Sequence, residues 1–296
     1  MKTFLLRHGG TCAEICIPDC NDGIYRGTRF DHAGVFRSLD YDGHKYVSQW
    51  YDRHDPYCHD AVCGPSEEFS QIGYDFGKGS APFLKIGVGV LRSATNQYDR
   101  FFRYDVLDFG KRSLDFCSDR AVFCQEISFE SFSYTYLKEI MLGPDGTLSI
   151  NHVLKNTGSL SLDFDFYNHN FFVLDGAPTG VATRFSFPFS PTGTWRSEYD
   201  SVHLTEHGIE FLRDIQKGET VFMGNLVPSS PMEGYSFRLE NVENKLCVDV
   251  ASRSQMEFAV FWSNHRVSCL EPYTHFEINP GDEASWSIHY RLGVLR

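Results

Sequence analysis

The chain has 296 residues and a formal net charge of −12 at pH 7, and 42% of its residues are hydrophobic, including 26 Phe and 15 Tyr. This length suits one large domain, and so many aromatic residues favour pleated, half-buried strands over helices. The acidic balance, without any basic stripe, argues against a nucleic-acid partner. It fits a neutral polar ligand better than an anionic one, unless a local basic pocket reverses the sign.

The N-terminal segment carries three cysteines at intervals of four residues, Cys12, Cys16 and Cys20. The repeat hints at a metal or cluster site, but its spacing matches no known cluster motif. The segment has the pattern of an extended strand, so free thiols are favoured. The chain has nine scattered cysteines, no secretory signal after Met1 and no apolar run long enough to cross a membrane. These features predict a cytoplasmic protein without a membrane partner.

The next segment places two arginines around a glycine, in Arg26-Gly27-Thr28-Arg29, and leads into a predicted hairpin at Asp42-Gly43. Asp-Gly between two apolar runs is typical of a two-residue hairpin turn. The guanidinium of Arg29 can donate hydrogen bonds to sugar hydroxyls or pair with a carboxylate. The alternative is a solvated strand end with surface salt bridges.

A long segment from Gln49 to Gly79 is rich in Asp, His, Gly and Pro, and we predict an irregular loop there. Loops of this length are usually functional. The segment offers His59 and the pair Glu67-Glu68 as candidate ligand-binding groups, with a solvated histidine and a solvated acidic pair as the alternatives. The pairs His54-Asp55 and His59-Asp60 in the same segment could gather a divalent ion, although a solvated loop is favoured.

The clearest strand pattern lies in the middle of the chain, after a second predicted hairpin at Asp145-Gly146. From Leu160 to Phe166, apolar residues alternate with Ser and Asp, and Tyr167 and His169 continue the polar parity. We therefore expect His169 to stand on a polar face rather than in the core, where an imidazole can exchange protons. The nearby carboxylates of this face, Asp163 and Asp165, would hold it protonated.

The last part of the chain contains alternating strands and one candidate carboxylate. Glu271 follows an apolar run and precedes Pro272, which ends regular pairing, so a strand end would display it; a surface Glu at a turn is the alternative. No long window has helical periodicity, and no repeat or linker divides the chain. Strands that follow strands by hairpins predict an all-β fold of antiparallel sheets packed face to face, in a single domain over residues 1–296.

Together these segments resemble the galactose mutarotase-like family of aldose 1-epimerases. The matching motifs are Gly27-Thr28-Arg29 with the hairpin at Asp42-Gly43, more loosely Gly64-Pro65-Ser66-Glu67-Glu68, then Asn168-His169-Asn170-Phe171-Phe172, and finally Glu271 followed by Pro280-Gly281 and Trp286. They span most of the chain in the family's order. The resemblance implies the β-supersandwich, two large antiparallel sheets with a sugar bound on a broad concave face.

The resemblance and the residue types support acid–base opening of a sugar ring. Glu271, as carboxylate, would remove the proton of the anomeric hydroxyl, and His169, as imidazolium, would protonate the ring oxygen. We expect the two side chains to be separated by about the width of a sugar ring. No metal or organic cofactor is required, and the expected partner is a small-molecule carbohydrate bound by a monomer or homodimer.

The predicted substrate-binding residues are Arg29, His59, Glu67, Glu68, Lys85 and Tyr167. Three of these residues depart from the family, because Lys85 stands roughly where galactose-specific members have a histidine and Glu67-Glu68 replaces an Asn-Arg pair. The sugar is therefore left open.

Two other functions remain as alternatives. A lyase or isomerase on the same scaffold would bring Lys85, Tyr167 and His59 into one pocket. A non-catalytic sugar-binding module would show aromatic platforms in the cleft, such as Trp50, Trp195 or Trp262, without His169 and Glu271 facing each other.

Overall fold

The computed structural model describes residues 2–74, 81–93 and 97–295. Its strands form a ten-stranded sheet, a six-stranded sheet and two smaller sheets, and every pair of neighbouring strands is antiparallel. The described residues contain no α-helix, only a single 3-10 turn at Leu174–Gly176. Nor does any of them belong to a helix with the length and apolar character needed to cross a bilayer.

The strands are numbered along the chain, but within the large sheets their spatial order differs from their order in sequence. From one edge to the other, the ten-stranded sheet contains β16 (Val202–Thr205), β17 (Gly208–Phe211), β14 (Thr183–Ser186), β19 (Tyr235–Asn241), β20 (Leu246–Ser252), β23 (Glu283–Val294), β12 (Thr147–Asn156), β11 (Phe132–Leu142), β10 (Arg120–Phe129) and β9 (Lys111–Phe116). The six-stranded sheet contains β15 (Pro191–Trp195), β18 (Thr220–Pro228), β21 (Phe258–Asn264), β22 (Ser268–Ile278), β13 (Leu162–Phe171) and β5 (Gly64–Phe69). The small sheets contain β1 (Thr3–His8), β2 (Thr11–Cys16), β3 (Phe36–Tyr41) and β4 (His44–Val47), and β6 (Pro82–Lys85), β7 (Gly89–Arg92) and β8 (Asp105–Asp108).

The two large sheets pack face to face, as the sequence predicted. The ring of Phe166 on β13 lies 5.1 Å from that of Trp286 on β23. Near the end of the same interface, Asn168 donates a hydrogen bond of 3.3 Å to the hydroxyl of Tyr290. Alternating apolar residues of both sheets therefore form the main core, and the opposite face of the six-stranded sheet remains for the site.

Both predicted hairpins are confirmed. The first joins β3 to β4 through Asp42 and Gly43, with φ of 51° and 82°. The second joins β11 to β12 through Asp145 and Gly146, with φ of 55° and 72°. Glycine tolerates such positive φ without strain, which explains its place in each turn.

The predicted irregular loop over 49–79 is wrong in part, because β5 lies within it; residues 75–79 fall outside the described part of the chain. β5 reads Gly-Pro-Ser-Glu-Glu-Phe, which has little strand propensity. It forms the edge of the six-stranded sheet and pairs there only with β13. An edge strand tolerates Pro65, since a proline there has no ladder hydrogen bond to lose.

The cysteines of the N-terminal segment follow the predicted strand pattern. Cys12 and Cys16 lie on β2, with Cys16 buried, while Cys20 follows the strand and is exposed. Cys16 packs in a small apolar cluster that also contains Ile24 and Phe171. All nine cysteines are free thiols.

Candidate active site

Strand register brings the two predicted catalytic residues together. β13 pairs with β22 up to Tyr167 opposite Tyr273, and the same register returns at the bridge between Phe172 and Ser268. His169 and Glu271 are therefore cross-strand neighbours on one face of the sheet. Their side chains are in direct contact, with His169 Nε2 3.1 Å from Glu271 Oε1. The expected separation of a sugar-ring width is wrong.

Pro272 interrupts the ladder next to this pair. It lacks an N–H, and along β22 the regular pairing with β13 begins only after it, at Tyr273, although pairing with β21 on the other side runs through Pro272. The side-chain amide of Asn170 donates to the carbonyl of Leu270 at 2.8 Å and so replaces a backbone donor. Glu271 thus lies inside an eleven-residue strand rather than at the predicted strand end.

The strand parity of His169 is confirmed, but its polar surroundings are not. Its ring stacks on Phe171 at 3.8 Å and meets the edge of Trp262 at 5.8 Å, and only 4% of the residue is exposed. The Nδ1 atom of His169 has no hydrogen-bond partner in the described part of the chain. Asp163 and Asp165 lie beside His275 instead, at 3.6 and 3.0 Å.

Burial therefore sets the protonation of the pair in a direction opposite to the sequence-based assignment. It lowers the pKa of His169 well below the usual range, and the positive charges of Arg29 and Arg100 act in the same direction. Burial also raises the pKa of Glu271 to about 8, although the same two arginines oppose this. Both shifts favour a neutral imidazole beside a protonated carboxyl.

A network of charges centred on Glu68 lies next to the pair. Glu68 Oε2 accepts hydrogen bonds from Arg29 Nε at 2.6 Å and from the Tyr167 hydroxyl at 2.5 Å. Its Oε1 lies 3.6 Å from Lys85 Nζ and 3.5 Å from Arg100 Nε. Three cations thus surround one carboxylate that is almost fully buried.

Burial and the ion pairs of this network shift the pKa values of Glu68 and Lys85. Burial by itself raises the pKa of Glu68, but Lys85, Arg29 and Arg100 outweigh it and lower the pKa to about 2. Burial lowers the pKa of Lys85 to about 8, against the attraction of Glu68. Glu68 is therefore a permanent anion, whereas Lys85 is close to losing its proton at mildly alkaline pH.

The pair opens into a cleft of about 290 Å³ on the outer face of the six-stranded sheet. Its walls come from several elements and are strongly aromatic. The lining residues are Arg29, Trp50, His59, Asp60, Arg100, Phe101, His169, Phe171, Arg196, Phe222, Val260, Trp262, Glu271 and Tyr273. The cleft thus brings together four of the predicted residues, Arg29, His59, His169 and Glu271. Two of the three candidate tryptophans, Trp50 and Trp262, also line it.

Glu67 is not in the cleft, so its predicted role is wrong. It neighbours Glu68 on a strand, and successive side chains point to opposite faces of a sheet. Its carboxylate lies between the two large sheets in close contact with Lys138 and accepts a hydrogen bond of 3.2 Å from Asn168.

Glu68, Tyr167 and Lys85 lie behind the cleft wall and do not line it. Lys85 is fully buried and donates to the Tyr98 hydroxyl at 2.6 Å. Glu68 and Tyr167 hold Arg29 and Arg100 in place, and Lys85 pairs with Glu68 from the other side. The convergence of Lys85, Tyr167 and His59 that a lyase would require is absent among the lining residues of the described chain.

Several cleft residues were missed by the sequence reasoning. Tyr273 shares the strand parity of Glu271, so period-two alternation could have found it; it accepts a hydrogen bond of 3.0 Å from Arg100. Arg100 lies in an irregular segment and Arg196 follows directly after β15, and neither carries a sequence signal that would place it in the cleft.

One group of potential metal ligands occurs among the described residues. Cys58, His59 and Asp60 place their ligand atoms within 4.8 Å of one another, and His59 and Asp60 line the cleft. Cys58 Sγ donates to Asp60 at 3.0 Å, and burial lowers the pKa of His59. The predicted His54-Asp55 contribution is not part of this group.

The fold is that of galactose mutarotase-like proteins. A galactose mutarotase related enzyme from Lactobacillus acidophilus superposes with a TM-score of 0.62 at 13% identity, over 99% of this chain and 97% of that one. The GalM/aldose epimerase homologue from C. elegans gives 0.58 at 11% identity over all of both chains. A galactose 1-epimerase from Lactobacillus acidophilus NCFM gives 0.53 at 9% identity, over 99% of this chain and 95% of that one.

These likenesses are structural. No protein-family model matches the sequence. No curated protein matches it either. At such low identity the shared feature is the two-sheet architecture, and the site must be interpreted from its own residues.

Proposed function

We propose that this protein is an aldose 1-epimerase-like isomerase, built as one domain, that interconverts sugar anomers in the cleft on its six-stranded sheet. The observation that carries the proposal is the 3.1 Å contact between His169 and Glu271 within that cleft. The cleft volume of about 290 Å³ is at the lower end of small-molecule pockets, roughly 300 Å³ and above, which suits a monosaccharide.

The pair shares one proton, which lies on Glu271 in the resting site because burial disfavours both charged forms. Glu271 then acts as the acid and His169 as the base. This reverses the roles assigned from the sequence. The pair can still perform the same chemistry, because anomer exchange needs one proton donor and one proton acceptor, and either side chain can start in either role.

The reaction follows from that starting state. His169 takes the proton of the anomeric hydroxyl while Glu271 gives its proton to the ring oxygen, the bond between C1 and the ring oxygen breaks, and C1 becomes an aldehyde. Rotation about the C1–C2 bond exposes the other face of the carbonyl. The ring oxygen attacks that face, its proton returns to Glu271, and His169 gives its proton to the new anomeric hydroxyl.

The walls of the cleft support a sugar ligand. Trp50 and Trp262 line it and offer apolar faces to the C–H side of a pyranose, and Arg29 lies beside them with donors for hydroxyl groups. The alternative function, a non-catalytic sugar-binding module, would show such aromatic platforms without His169 and Glu271 facing each other. The contact between these two side chains favours the enzyme.

The test is anomer exchange measured directly by saturation-transfer NMR on a panel of aldoses and uronates with the full chain. Substituting His169→Gln or Glu271→Gln should slow exchange by about two to four orders of magnitude, the usual contribution of a positioned acid or base. Binding of the sugar should remain detectable in both variants, since the aromatic walls and Arg29 are retained.

Matched controls are available further along the strand that carries Glu271. His275→Gln and Glu277→Gln make the same chemical changes on β22 at exposed positions outside the cleft, and both should exchange anomers like the wild type. If the wild type binds a sugar without accelerating exchange, the protein is a binding module and the proposal fails.

A further inference from the structure

Behind the cleft, buried cations outnumber the carboxylate that they meet. Arg29, Lys85 and Arg100 all meet the single carboxylate of Glu68, at N–O distances of 2.6, 3.6 and 3.5 Å. The side chains of Arg29 and Lys85 are 8% and 0% exposed. Burying a charge without a partner is costly, so surplus cations that a protein maintains at a cleft wall indicate an anionic partner.

The other carboxyl groups of the cleft do not offset this surplus. Glu271 contacts His169 rather than an arginine, and burial holds it in its neutral, protonated form. Asp60 lines the cleft, and its described partners are Cys58 and His59. Neither carboxylate is ion-paired with Arg29 or Arg100.

A further cation lies on another part of the cleft wall. Arg196 is exposed, its guanidinium lies 3.8 Å from the centre of the Phe222 ring, and it pairs with no carboxylate among the described residues. Arg100 is also accessible, with 36% of its side chain exposed. The cleft therefore presents two accessible guanidinium groups, of which Arg100 is fixed by hydrogen bonding to Tyr273.

We propose that the ligand of this cleft is an aldose carrying an anionic substituent, the carboxylate of a uronate or the oxygens of a phosphate or sulfate ester, held by Arg100 and Arg196. Guanidinium groups bind carboxylate and phosphate oxygens through paired hydrogen bonds. The inference rests on the proposed function, because it names the substrate class for the same His169–Glu271 site.

The local charge runs against that of the whole molecule, which is −12. Attraction therefore acts only within a short range, since screening at physiological salt limits it to about 8 Å. An anionic sugar must reach the cleft before it is attracted, and binding should weaken as salt rises. The sequence-based preference for a neutral ligand is thus reversed by a basic pocket that only the fold assembles.

The experiment compares glucose, glucuronate and glucose 6-phosphate, and the galactose counterparts, by calorimetric binding and by anomer-exchange NMR on the full chain. At least one anionic sugar should bind at least tenfold more tightly than its neutral counterpart, and the uronate and phosphate samples show which substituent is preferred. Arg100→Gln and Arg196→Gln should each lower the ratio of anionic to neutral affinity about tenfold. Arg184→Gln, an exposed arginine on β14 outside the cleft, should leave the ratio unchanged.

The outcomes separate the two proposals. Equal or tighter binding of the neutral sugars overturns the anionic substrate, even if those sugars are epimerised. Tight binding of an anionic sugar without anomer exchange upholds the ligand class and overturns the epimerase. If none of the sugars binds, both proposals are wrong.

Discussion

Glu67 and Glu68 are neighbours on β5, yet their carboxylates lie on opposite faces of the sheet in surroundings of opposite charge. On the core face, Glu67 and Asp31 share the single ammonium group of Lys138, which is in close contact with Glu67 and 3.6 Å from Asp31. On the cleft face, Glu68 alone meets three cations. The core face therefore has fewer cations than carboxylates, and the cleft face has more.

The two faces resolve this imbalance differently. On the core face, burial raises the pKa of Glu67, and the charge of Asp31 adds to this rise against the opposing effect of Lys138, so Glu67 takes up a proton more readily than an exposed glutamate does. On the cleft face, Glu68 stays ionised, because its cations lower its pKa to about 2. A proton can reduce the imbalance on the core face, whereas the cleft face keeps a net positive charge, which the proposed anionic ligand would reduce.

The largest effect on stability should come from the core face. Lys138→Met removes the cation that meets both Glu67 and Asp31, and breaking such a buried pair costs about 4 kcal/mol of unfolding free energy. Urea denaturation measures it, with Lys155→Met on the exposed side of β12 as the control. A loss under about 1 kcal/mol in Lys138→Met would mean that this network contributes little.

The same substitution at the two neighbouring positions tests the comparison directly. Glu68→Gln leaves three cations without a carboxylate and should cost about 3 kcal/mol at pH 7, while Glu67→Gln still leaves Lys138 matched by Asp31 and should cost about 1 kcal/mol. Denaturation of both variants in one buffer measures the difference. Equal losses, or a larger loss for Glu67→Gln, would contradict the assigned charges.

The pH dependence of anomer exchange sharpens the contrast at the site itself. The proposed mechanism requires a protonated Glu271 and a neutral His169, so the rate should be flat near neutrality and fall about tenfold per pH unit above pH 8, where Glu271 loses its proton. It should fall at the acid end only well below pH 6.5, because the pKa of His169 is lowered. The apparent pKa values belong to the pair. A rate that keeps rising above pH 8, after subtraction of the uncatalysed reaction, would show that the carboxylate form is the active one.

The smallest expected effect concerns the hydroxyl that joins Glu68 to Arg29. Tyr167→Phe removes the hydrogen bond to Glu68 and the one accepted from Arg29 at 2.8 Å, and should cost about 1 kcal/mol of stability. Tyr41→Phe on β3 removes a half-buried hydroxyl and serves as the control. Identical behaviour of the two variants would indicate that the Tyr167 hydroxyl does not support the network.

Much of the fold could be predicted because period-two alternation and Asp-Gly turns are local signals. The face of His169 followed from the same alternation. What covers that face could be predicted only in part: Trp50 was a candidate platform, but Phe101 comes from a segment without periodicity. Burial, rather than parity, then decides which of the paired groups is protonated.

The errors at the site have a similar physical origin. Interpreting the segment of Glu67 and Glu68 as a loop concealed that adjacent strand residues must face opposite ways. Asp163 and Asp165 do share the face of His169, but they lie nearer the start of β13, where Asp165 is opposite His275 in the register. The position of Arg100 depends on tertiary structure alone.

The cross-strand register of β13 and β22 has a consequence for the tolerance of this gene to insertions and deletions. Side chains alternate with a period of two along a strand. If one residue were lost between Pro272 and Ile278 and the pairing beyond that point were kept, Glu271 would turn from the cleft towards the core. Leu270 or Pro272 would then face the solvent instead. Such a chain could not form the His169–Glu271 contact and would also bury a carboxyl between the sheets. Length changes should therefore be absent from this stretch in functional variants and concentrated in turns, such as the one at Asp42-Gly43.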